Sequence, residues 1–414
     1  MIDSSTKRNP TGLLPPETVF FNGKIITLDS DDTIATAVGI RNGLVFGTGS
    51  DEYIRQISDP STNFIDLKGK TMLPGFIDSH THLGPASLSL RYYIDGRCPP
   101  NRTVADILDR IRQRTKEVPE GEWVVVNMNV FTDLKLIEKR TPTRRELDLV
   151  APKHPVLILA SAHTQIVNSC ALERARIGKD TADPSGGHIE REELTGNPTG
   201  VLRECQKLLP IAPFTHNQKK ESLQTVVQDY WLKYGFTSIY TFVDISELRI
   251  FKELADERSL PIRIQAMLLD DLNEHELLQC SINLGIASGF GSEWLKIGGV
   301  KIFTDGAFKG LSAATYTPYL NLPEKNYCGL FRRDPRTLNE LTLKAHKSGF
   351  FVCIHAIGER AQDLALDACA HVVKTDPNPH HQRIEHFGNI MTTAERVQRA
   401  KSLNIIPITT AEWL

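Results

Sequence analysis

Two histidines one residue apart are the part of this sequence best suited to chemistry. His80 and His82 lie in the run 76–82, which follows Leu-Pro-Gly and favours an extended conformation. Side chains at positions i and i+2 of a strand point to the same face, so the two imidazoles should converge. Neutral imidazole is a common ligand of zinc and related metals. The pair therefore predicts half of a metal site, although an isolated match of this kind is as often a chance or surface pair.

Three further residues could complete such a site. Lys301 lies inside an apolar segment, where an unpaired ammonium would be costly to bury. Carbamylation by carbon dioxide would turn its amine into a carboxylate-like group, whereas the plain alternative is an ion pair with a neighbouring acid such as Asp305. His355 and His386 each end a short apolar run, and each alone would be typical of a core histidine. Four imidazoles and one buried lysine, all at predicted strand ends, are much harder to attribute to chance.

The segments around these residues predict a β/α barrel. From residue 218 to residue 409, helical patterns alternate with apolar strands, and the candidate residues fall at the carboxyl ends of those strands. Such alternation favours a parallel sheet, and catalytic residues of β/α barrels sit at this end of the strands. With the strand that ends at His82 counted first, the sequence shows seven strands, one short of eight. The predicted fold is α/β, with an incomplete (β/α)8-type barrel.

The rest of the chain divides into smaller parts. Residues 1–16 are polar and proline-punctuated, and are predicted to be a disordered tail. Residues 17–73 contain short β-rich pieces separated by Asn22-Gly23 and Asn42-Gly43, which supply the positive φ angles of tight turns. They predict a small antiparallel sheet, half of a β-sandwich. The barrel is assigned to residues 74–414, with an insertion at about residues 86–215 that would form a lid or substrate-facing subdomain.

Composition limits the classes of function. The chain has 414 residues and a net charge of −2, which offers no broad field for nucleic acid or an anionic membrane. Its seven cysteines are scattered without a Cys-x-x-Cys pair, which argues against a disulfide framework and favours a reducing compartment. Neither a secretory signal nor an apolar run of about 20 residues is evident. We therefore expect a soluble, cytoplasmic protein with a small-molecule substrate, and a homodimer would be the commonest assembly.

Four motifs resemble those of the metal-dependent amidohydrolase superfamily, and more narrowly its amidohydrolase-3, or YtcJ-like, branch. They are PGFIDSHTH at 74–82, VKIFTDG at 300–306, IHAIGER at 354–360 and RIEH at 383–386. The likeness runs from about residue 17 to the end, and the ordered set is specific where any single motif is weak. The resemblance implies a (β/α)8 barrel that holds one or two divalent metal ions, usually zinc.

The resemblance assigns roles to the five residues already singled out. The implied metal ligands are, in chain order, His80, His82, Lys301, His355 and His386. Lys301 would be a carbamylated lysine that bridges two ions, and His355 and Lys301 are also the predicted catalytic residues. The implied chemistry is hydrolysis of a non-peptide carbon–nitrogen bond by a water that the metal activates.

Three residues are predicted to contact substrate. His163 and Glu204 lie in parts of the insertion that look like the branch's second-domain segments, and Asp305 follows Lys301 in its motif. A structural role for His163 or Glu204 agrees with the sequence at least as well. Specificity would come from the insertion and the strand-end loops, which vary freely on a fixed scaffold, so the sequence does not reveal the substrate.

The sequence departs from the family pattern at one point. The family uses an aspartate at the end of the eighth strand to move the proton of the attacking water, and here residue 414 comes just after the seventh predicted strand. Glu412 lies near the same rim but matches no family motif. A catalytically impaired remnant, with a binding role or none, is therefore the alternative to a hydrolase. A metal phosphoesterase is a weaker alternative, because no phosphate-cradling glycine loop or basic cluster is evident.

Overall fold

The computed structural model describes residues 14–128, 132–160, 164–184, 187–270, 276–308, 310–320, 326–376 and 382–410. The chain divides into two compact units, with the boundary between Phe76 and Ile77. None of the described helices is long and apolar enough to cross a bilayer. All seven cysteines are free thiols.

Residues 1–13 of the predicted tail lie outside the described residues. The three that follow belong to the first unit. The carbonyl of Pro16 accepts a hydrogen bond of 2.8 Å from Thr62 Oγ1, and that of Pro15 accepts one from Arg41. These contacts extend the first unit to residue 15.

The first unit is built from short strands. They are β1 Thr18–Phe21, β2 Lys24–Ile26, β3 Ile34–Ala35, β4 Ala37–Arg41, β5 Leu44–Gly49, β6 Asn63–Asp66 and β7 Thr71–Met72, with helix α1 Asp51–Gln56 between β5 and β6. They form two sheets, of order β5-β4-β1-β6 and β3-β2-β7. One edge strand of each sheet, β6 or β7, pairs with a strand far from it in sequence.

The prediction of a single antiparallel sheet in this unit is wrong. β1 pairs parallel with β6, and β2 pairs parallel with β7, so both sheets are mixed. Asn42 and Gly43, with φ angles of 51° and 74°, close the predicted hairpin between β4 and β5. Asn22-Gly23 instead carries the chain from one sheet to the other. Turn residues indicate where a strand ends, but the partner of a strand depends on contacts that local sequence does not contain.

β8 Phe76–Thr81 leads into a second sheet region, which occupies the predicted insertion. Its elements are α2 Leu83–Tyr92, β9 Ile94–Asp95, α3 Val104–Arg114, β10 Val124–Asn127, α4 Thr132–Lys135, α5 Arg144–Val150, β11 Val156–Leu159, β12 Thr164–Val167, α6 Ser169–Arg174, β13 His188–Arg191 and β14 Pro198–Arg203. The strands form a mixed sheet of order β13-β14-β12-β11-β10-β9. Two apolar clusters cover it, one around Ile107 and Leu147 and the other around Leu172.

Regular alternation of helices and strands follows. The elements are α7 His216–Tyr230, β15 Phe236–Val243, α8 Ile245–Asp256, β16 Arg263–Asp270, α9 Glu276–Asn283, β17 Leu295–Phe303, α10 Pro335–Lys347, β18 Val352–His355, α11 Glu359–Thr375, β19 Arg383–Glu385, α12 Ala394–Ser402 and β20 Ile406–Ile408. Short 3-10 helices at Gln206–Leu208 and Leu232–Tyr234 lie on either side of α7.

The strands of this region and β8 form one sheet of order β20-β19-β18-β17-β16-β15-β8. Each successive pair from β15 to β20 is parallel. Helices pack on its outer face through a large apolar core that includes Phe251 of α8, Phe350 before β18 and Leu366 of α11. The described residues thus form the incomplete (β/α)8-type barrel that the sequence predicts.

Side-chain caps fix where the barrel helices begin. The carboxylate of Asp244 accepts a hydrogen bond of 2.7 Å from the backbone N–H of Glu247, and the Glu247 carboxylate accepts one of 3.2 Å from the N–H of Asp244. This capping box starts α8 directly after β15, and such caps contribute about 1 kcal/mol. The cap thereby fixes the point at which the chain leaves β15 and enters α8.

One irregularity in β17 determines how the site is built. The pairing with β16 shifts by one residue at Gly298, which is the extra residue of a β-bulge. In a regular strand Ile297 and Lys301 would share a face, because they are four residues apart. Here Ile297 lines a cavity against α8, whereas the amine of Lys301 lies over the ring of Phe242 on β15. The bulge therefore turns Lys301 toward the barrel interior.

Candidate metal centre

Four strand ends bring the predicted ligands together. His80 lies on β8 with His82 directly after the strand, Lys301 lies on β17, His355 ends β18 and His386 directly follows β19. Ring centroids are 4.6 Å apart for His80 and His386, 4.8 Å for His355 and His386, and 5.9 Å for His80 and His82. These five residues are called the His–Lys cluster below. His386 has a positive φ of 64°, which ends β19 abruptly at the cluster.

Two phenylalanine rings that the sequence did not indicate form a wall of the cluster. The Nζ atom of Lys301 lies 4.0 Å from the ring centroid of Phe242 and 5.2 Å from that of Phe303. Phe242 also packs against His80 at 4.7 Å, and Phe303 packs against His355 at 5.1 Å. An ammonium gains energy over an aromatic face, so these rings offset part of the burial of Lys301. The alternation along β15 was the one signal that could have placed Phe242 inside the barrel.

Burial keeps the imidazoles of the cluster neutral. It is the main cause that lowers the pKa of all four rings, and the charge of Lys301 lowers them further. The pKa of His82 falls to about 3. Lys301 is itself only 1% exposed, and burial lowers its pKa to about 8. Neutral imidazole is the form that binds metal ions, so the environment suits a metal site.

In three of the four imidazole rings, one nitrogen forms a hydrogen bond with another group of the protein. The pairs are His80 Nδ1 with the carboxylate of Glu385, His355 Nε2 with the carbonyl of Gly306 at 2.9 Å, and His386 Nδ1 with the hydroxyl of Thr410 at 3.1 Å. Histidine ligands of metals almost always have their second ring nitrogen held in this way. For His80 the nitrogen that could bind an ion is then Nε2, and for His355 it is Nδ1.

The donor chemistry of the cluster fits a divalent metal ion. Histidine nitrogens bind zinc at about 2.0–2.1 Å, which places the centroids of two ligand rings roughly 4.5–5.5 Å apart. Both distances from the His386 ring fall in that range. The rings pack edge to face, and in the described part of the chain no three His, Cys, Asp or Glu side chains are already gathered as they would be around an ion. Binding would therefore require the rings to turn within the space that they share.

The plain alternative for Lys301 is an ion pair with a neighbouring acid such as Asp305, and among the described residues no ion pair joins Lys301 to Asp305. Asp305 is fully buried, and burial raises its pKa to about 7. Its carboxylate accepts hydrogen bonds from three backbone N–H groups, those of Ala314, Ile357 and Gly358 at 2.9, 3.1 and 2.9 Å. These contacts favour a role in holding the turn after β18 over the predicted contact with substrate.

The other two residues predicted to contact substrate belong to the inserted region. His163 lies outside the described residues, as does Glu412. Glu204 directly follows β14, with an exposed side chain and a positive φ of 52°. Their roles toward substrate stay predictions.

The sequence reasoning missed a buried ion pair next to the cluster. Arg383 Nε donates a hydrogen bond of 2.5 Å to Glu385 Oε1, and both side chains are buried. Burial by itself would raise the pKa of Glu385, but the charge of Lys301 and the hydrogen bonds from His80 and Arg383 lower it. Arg383 and Glu385 stand in the RIEH motif, two residues apart on a strand. That spacing was the available signal that both face the barrel interior.

Comparison with known proteins agrees with this architecture. The sequence model of the amidohydrolase family matches residues 63–410. The chain belongs to the amidohydrolase family. This amidohydrolase is 30% identical over 384 residues to YtcJ of Bacillus subtilis (strain 168), and the match covers 89% of the chain and 68% of that protein.

Two further comparisons extend the likeness. The chain is 29% identical over 384 residues to the N-substituted formamide deformylase of Arthrobacter pascens, and the match covers 89% of the chain and 68% of that enzyme. Among solved structures it resembles a metal-dependent hydrolase from Pyrococcus horikoshii OT3, with a TM-score of 0.68, 26% identity, and coverage of 94% of the chain and 74% of that structure. The chain spans about two thirds of the length of the curated relatives that it matches. The family and the barrel predicted from the four motifs are confirmed.

Proposed function

We propose that this amidohydrolase hydrolyses a non-peptide carbon–nitrogen bond in a small molecule, with the His–Lys cluster holding one or two divalent metal ions. Zinc is the first choice, because neutral imidazoles are its preferred nitrogen donors. The observation that carries the proposal is the meeting of four neutral rings and a buried amine at strand ends, where barrel enzymes keep their active sites. Family membership supports hydrolysis and a divalent metal.

Each residue of the cluster has a task in this proposal. The four histidines would be ligands, and a bound ion would supply Lewis-acid activation of a water and of the substrate carbonyl. The Gly306 carbonyl holds His355 at Nε2, which makes Nδ1 the donor atom of that ring. The rings of Phe242 and Phe303 exclude bulk water from one side of the cluster, which strengthens every electrostatic interaction within it.

Lys301 is proposed to carry a carbamate. Its neutral amine would attack carbon dioxide, form a nitrogen–carbon bond and release one proton to solvent. Burial disfavours the ammonium form, and the neutral amine is the form that reacts. The product would replace the positive charge over Phe242 with anionic oxygen donors that can bind metal. A carbon-13 carbamate signal from protein supplied with labelled bicarbonate, absent from Lys301→Arg, would report this step.

Metal analysis and turnover of the purified chain test the proposal. We expect a near-stoichiometric amount of zinc, manganese or iron, and release of amine from a panel of small N-acyl compounds. The panel includes N-substituted formamides, because a relative carries the name of that activity. His82→Ala should lose both metal and turnover.

His216→Ala is the matched control. His216 lies at the start of α7, where its exposed ring forms a hydrogen bond of 2.6 Å with Glu253, and it does not belong to the cluster. This variant should keep both metal and turnover. Full turnover by metal-free protein would refute the proposal.

A further inference from the structure

We infer that the Glu385–Arg383 pair positions His80 for metal binding, by fixing which ring nitrogen carries the proton and by joining β19 to β8 across the barrel interior. Neither residue would touch the metal in this scheme, so both are positioning residues. The inference rests on the proposed metal centre for its functional meaning. Its structural part concerns side chains of the metal-free chain and can be tested separately.

The first half of the argument concerns the ring of His80. Glu385 is fully buried, and Arg383 holds both of its oxygens, with 2.5 Å from Nε to Oε1 and 3.1 Å from Nη2 to Oε2. A carboxylate paired in this way can only accept hydrogen bonds. The hydrogen of its bond with His80 therefore lies on Nδ1. A neutral imidazole has one N–H group, so Nε2 of His80 keeps the lone pair that a metal needs.

The second half concerns the two strands that the pair joins. β8 stands at one end of the described sheet and β19 stands next to the other end, so no backbone ladder joins them directly. Arg383 Nη2 donates a hydrogen bond of 2.6 Å to the carbonyl of Ser79, the residue before His80. Its guanidinium also lies 5.4 Å from the ring centroid of Tyr240. Side chains from β19 thus hold the backbone of β8 at the place where the cluster forms.

Stability alone does not account for such a pair. Buried ion pairs often contribute no more than apolar residues of the same volume, because desolvation offsets the attraction. Here Glu385 bonds to His80, and Arg383 bonds to the backbone of the residue before it. A carboxylate behind a histidine ligand typically changes metal affinity by about 10–100-fold. The expected effect of losing it is therefore large enough to measure.

Glu385→Gln tests the inference, because it keeps the volume of the side chain and removes its charge. In metal-free protein labelled with nitrogen-15 histidine, we expect the Nδ1–H signal of His80 to be lost or shifted as the other tautomer gains population. The signal is assigned by its absence from His80→Gln. Zinc affinity, measured by competition with a chelating dye, should fall by about 10–100-fold.

Asp270→Asn is the matched control. Asp270 on β16 is another buried carboxylate paired with a buried arginine, Arg333, at 3.1 Å, and the cluster does not include it. The control should lose stability to a similar degree while the His80 signal and zinc affinity stay within about twofold of the wild type. Arg383→Lys is the second variant if Glu385→Gln fails to fold, since it keeps the charge and removes the fork that holds Ser79.

The outcomes separate the two proposals. Unchanged tautomer and unchanged zinc affinity in Glu385→Gln would overturn the inference and leave the metal centre standing. An equal loss of affinity in Asp270→Asn would also overturn it, because the effect would then be general destabilisation. If Glu385→Gln changes the His80 signal but the wild-type protein binds no metal, the positioning role is supported and the proposed function is refuted.

Discussion

Asp305 is the residue for which contacts and motif point to different roles. The motif places it four residues after Lys301, which suggested contact with substrate. Its carboxylate instead joins the loop after β17 to the turn after β18, through the backbone N–H groups of Ala314 and Gly358. His355 Nε2 lies 3.6 Å from the same carboxylate. A fully buried acceptor of this kind shapes the backbone around His355, a proposed metal ligand.

We expect Asp305→Asn to destabilise the chain by roughly 1–3 kcal/mol, because the new amide N–H group would face backbone N–H donors and leave them unsatisfied. Urea unfolding followed by circular dichroism measures the change. Asp367→Asn is the control, since Asp367 is exposed in its pair with Arg399, and it should change stability by less than about 0.5 kcal/mol. If Asp305→Asn lost no more free energy of unfolding than Asp367→Asn, the buried contacts of Asp305 would contribute little to stability.

The chemically distinctive residues of the cluster could be predicted from the sequence, but the residues that contact and orient them could not. Two histidines at alternate positions, and a lysine in an apolar strand, stand out by type and spacing. Phe242, Phe303 and Arg383 belong to common residue types whose importance comes only from what they contact. The contact of Glu385 with His80 joins residues 305 positions apart, which no local pattern encodes.

Elements were easier to predict than the register between them. The alternation of helices and strands predicted for residues 218–409 is observed, from α7 at His216–Tyr230 to β20 at Ile406–Ile408. Hydrophobic periodicity and capping residues contain that information locally. The bulge at Gly298 depends on how β17 pairs with β16, and the parallel partners in the first unit depend on distant strands. Neither the bulge nor these strand partners can be predicted from the sequence of one segment alone.

Gly299→Ala tests the importance of the bulge. An added Cβ would lie 2.2 Å from the carbonyl oxygen of Phe351 and 2.8 Å from the side chain of Met267. The same carbonyl accepts the backbone hydrogen bond of Val300 at 2.9 Å, so it cannot move away freely. We expect a loss of roughly 1–3 kcal/mol in the free energy of unfolding, together with weaker zinc binding because Lys301 is displaced.

Gly178→Ala is the control for that substitution. No atom lies within 4 Å of the Cβ position of Gly178, and its φ is outside the left-handed region. Its stability and zinc affinity should match the wild type. Normal zinc binding by Gly299→Ala would mean that the placement of Lys301 does not depend on the bulge.

At the scale of the whole molecule, the cluster depends on the barrel sheet, which brings together strands that lie far apart in sequence. Its members come from β8, β17, β18 and β19, or directly follow those strands. Among the described residues, β8 is joined to β19 through side chains of the barrel interior. The strand and helix alternation was enough to predict the barrel, because each repeat buries its apolar face in the same way. The mixed sheet of the inserted region was not predicted, since its strands follow no such repeat.

The dispersal of the ligands along the chain leads to a prediction for the stability of the whole protein. Only the folded chain brings the rings within 4.6–5.9 Å of one another, so a metal ion should bind the native state and not the unfolded one. At a free zinc concentration of 100 times Kd, such binding stabilises by about 2.7 kcal/mol. We therefore expect metal-free protein to melt several degrees lower than protein with zinc, in a calorimetric scan at fixed protein concentration.

His82→Ala should show a much smaller increase in melting temperature with zinc because it lacks one ligand, whereas His216→Ala should show the full increase. Equal increases in all three proteins would mean that zinc binds outside the cluster, and the cluster would then not be the metal centre.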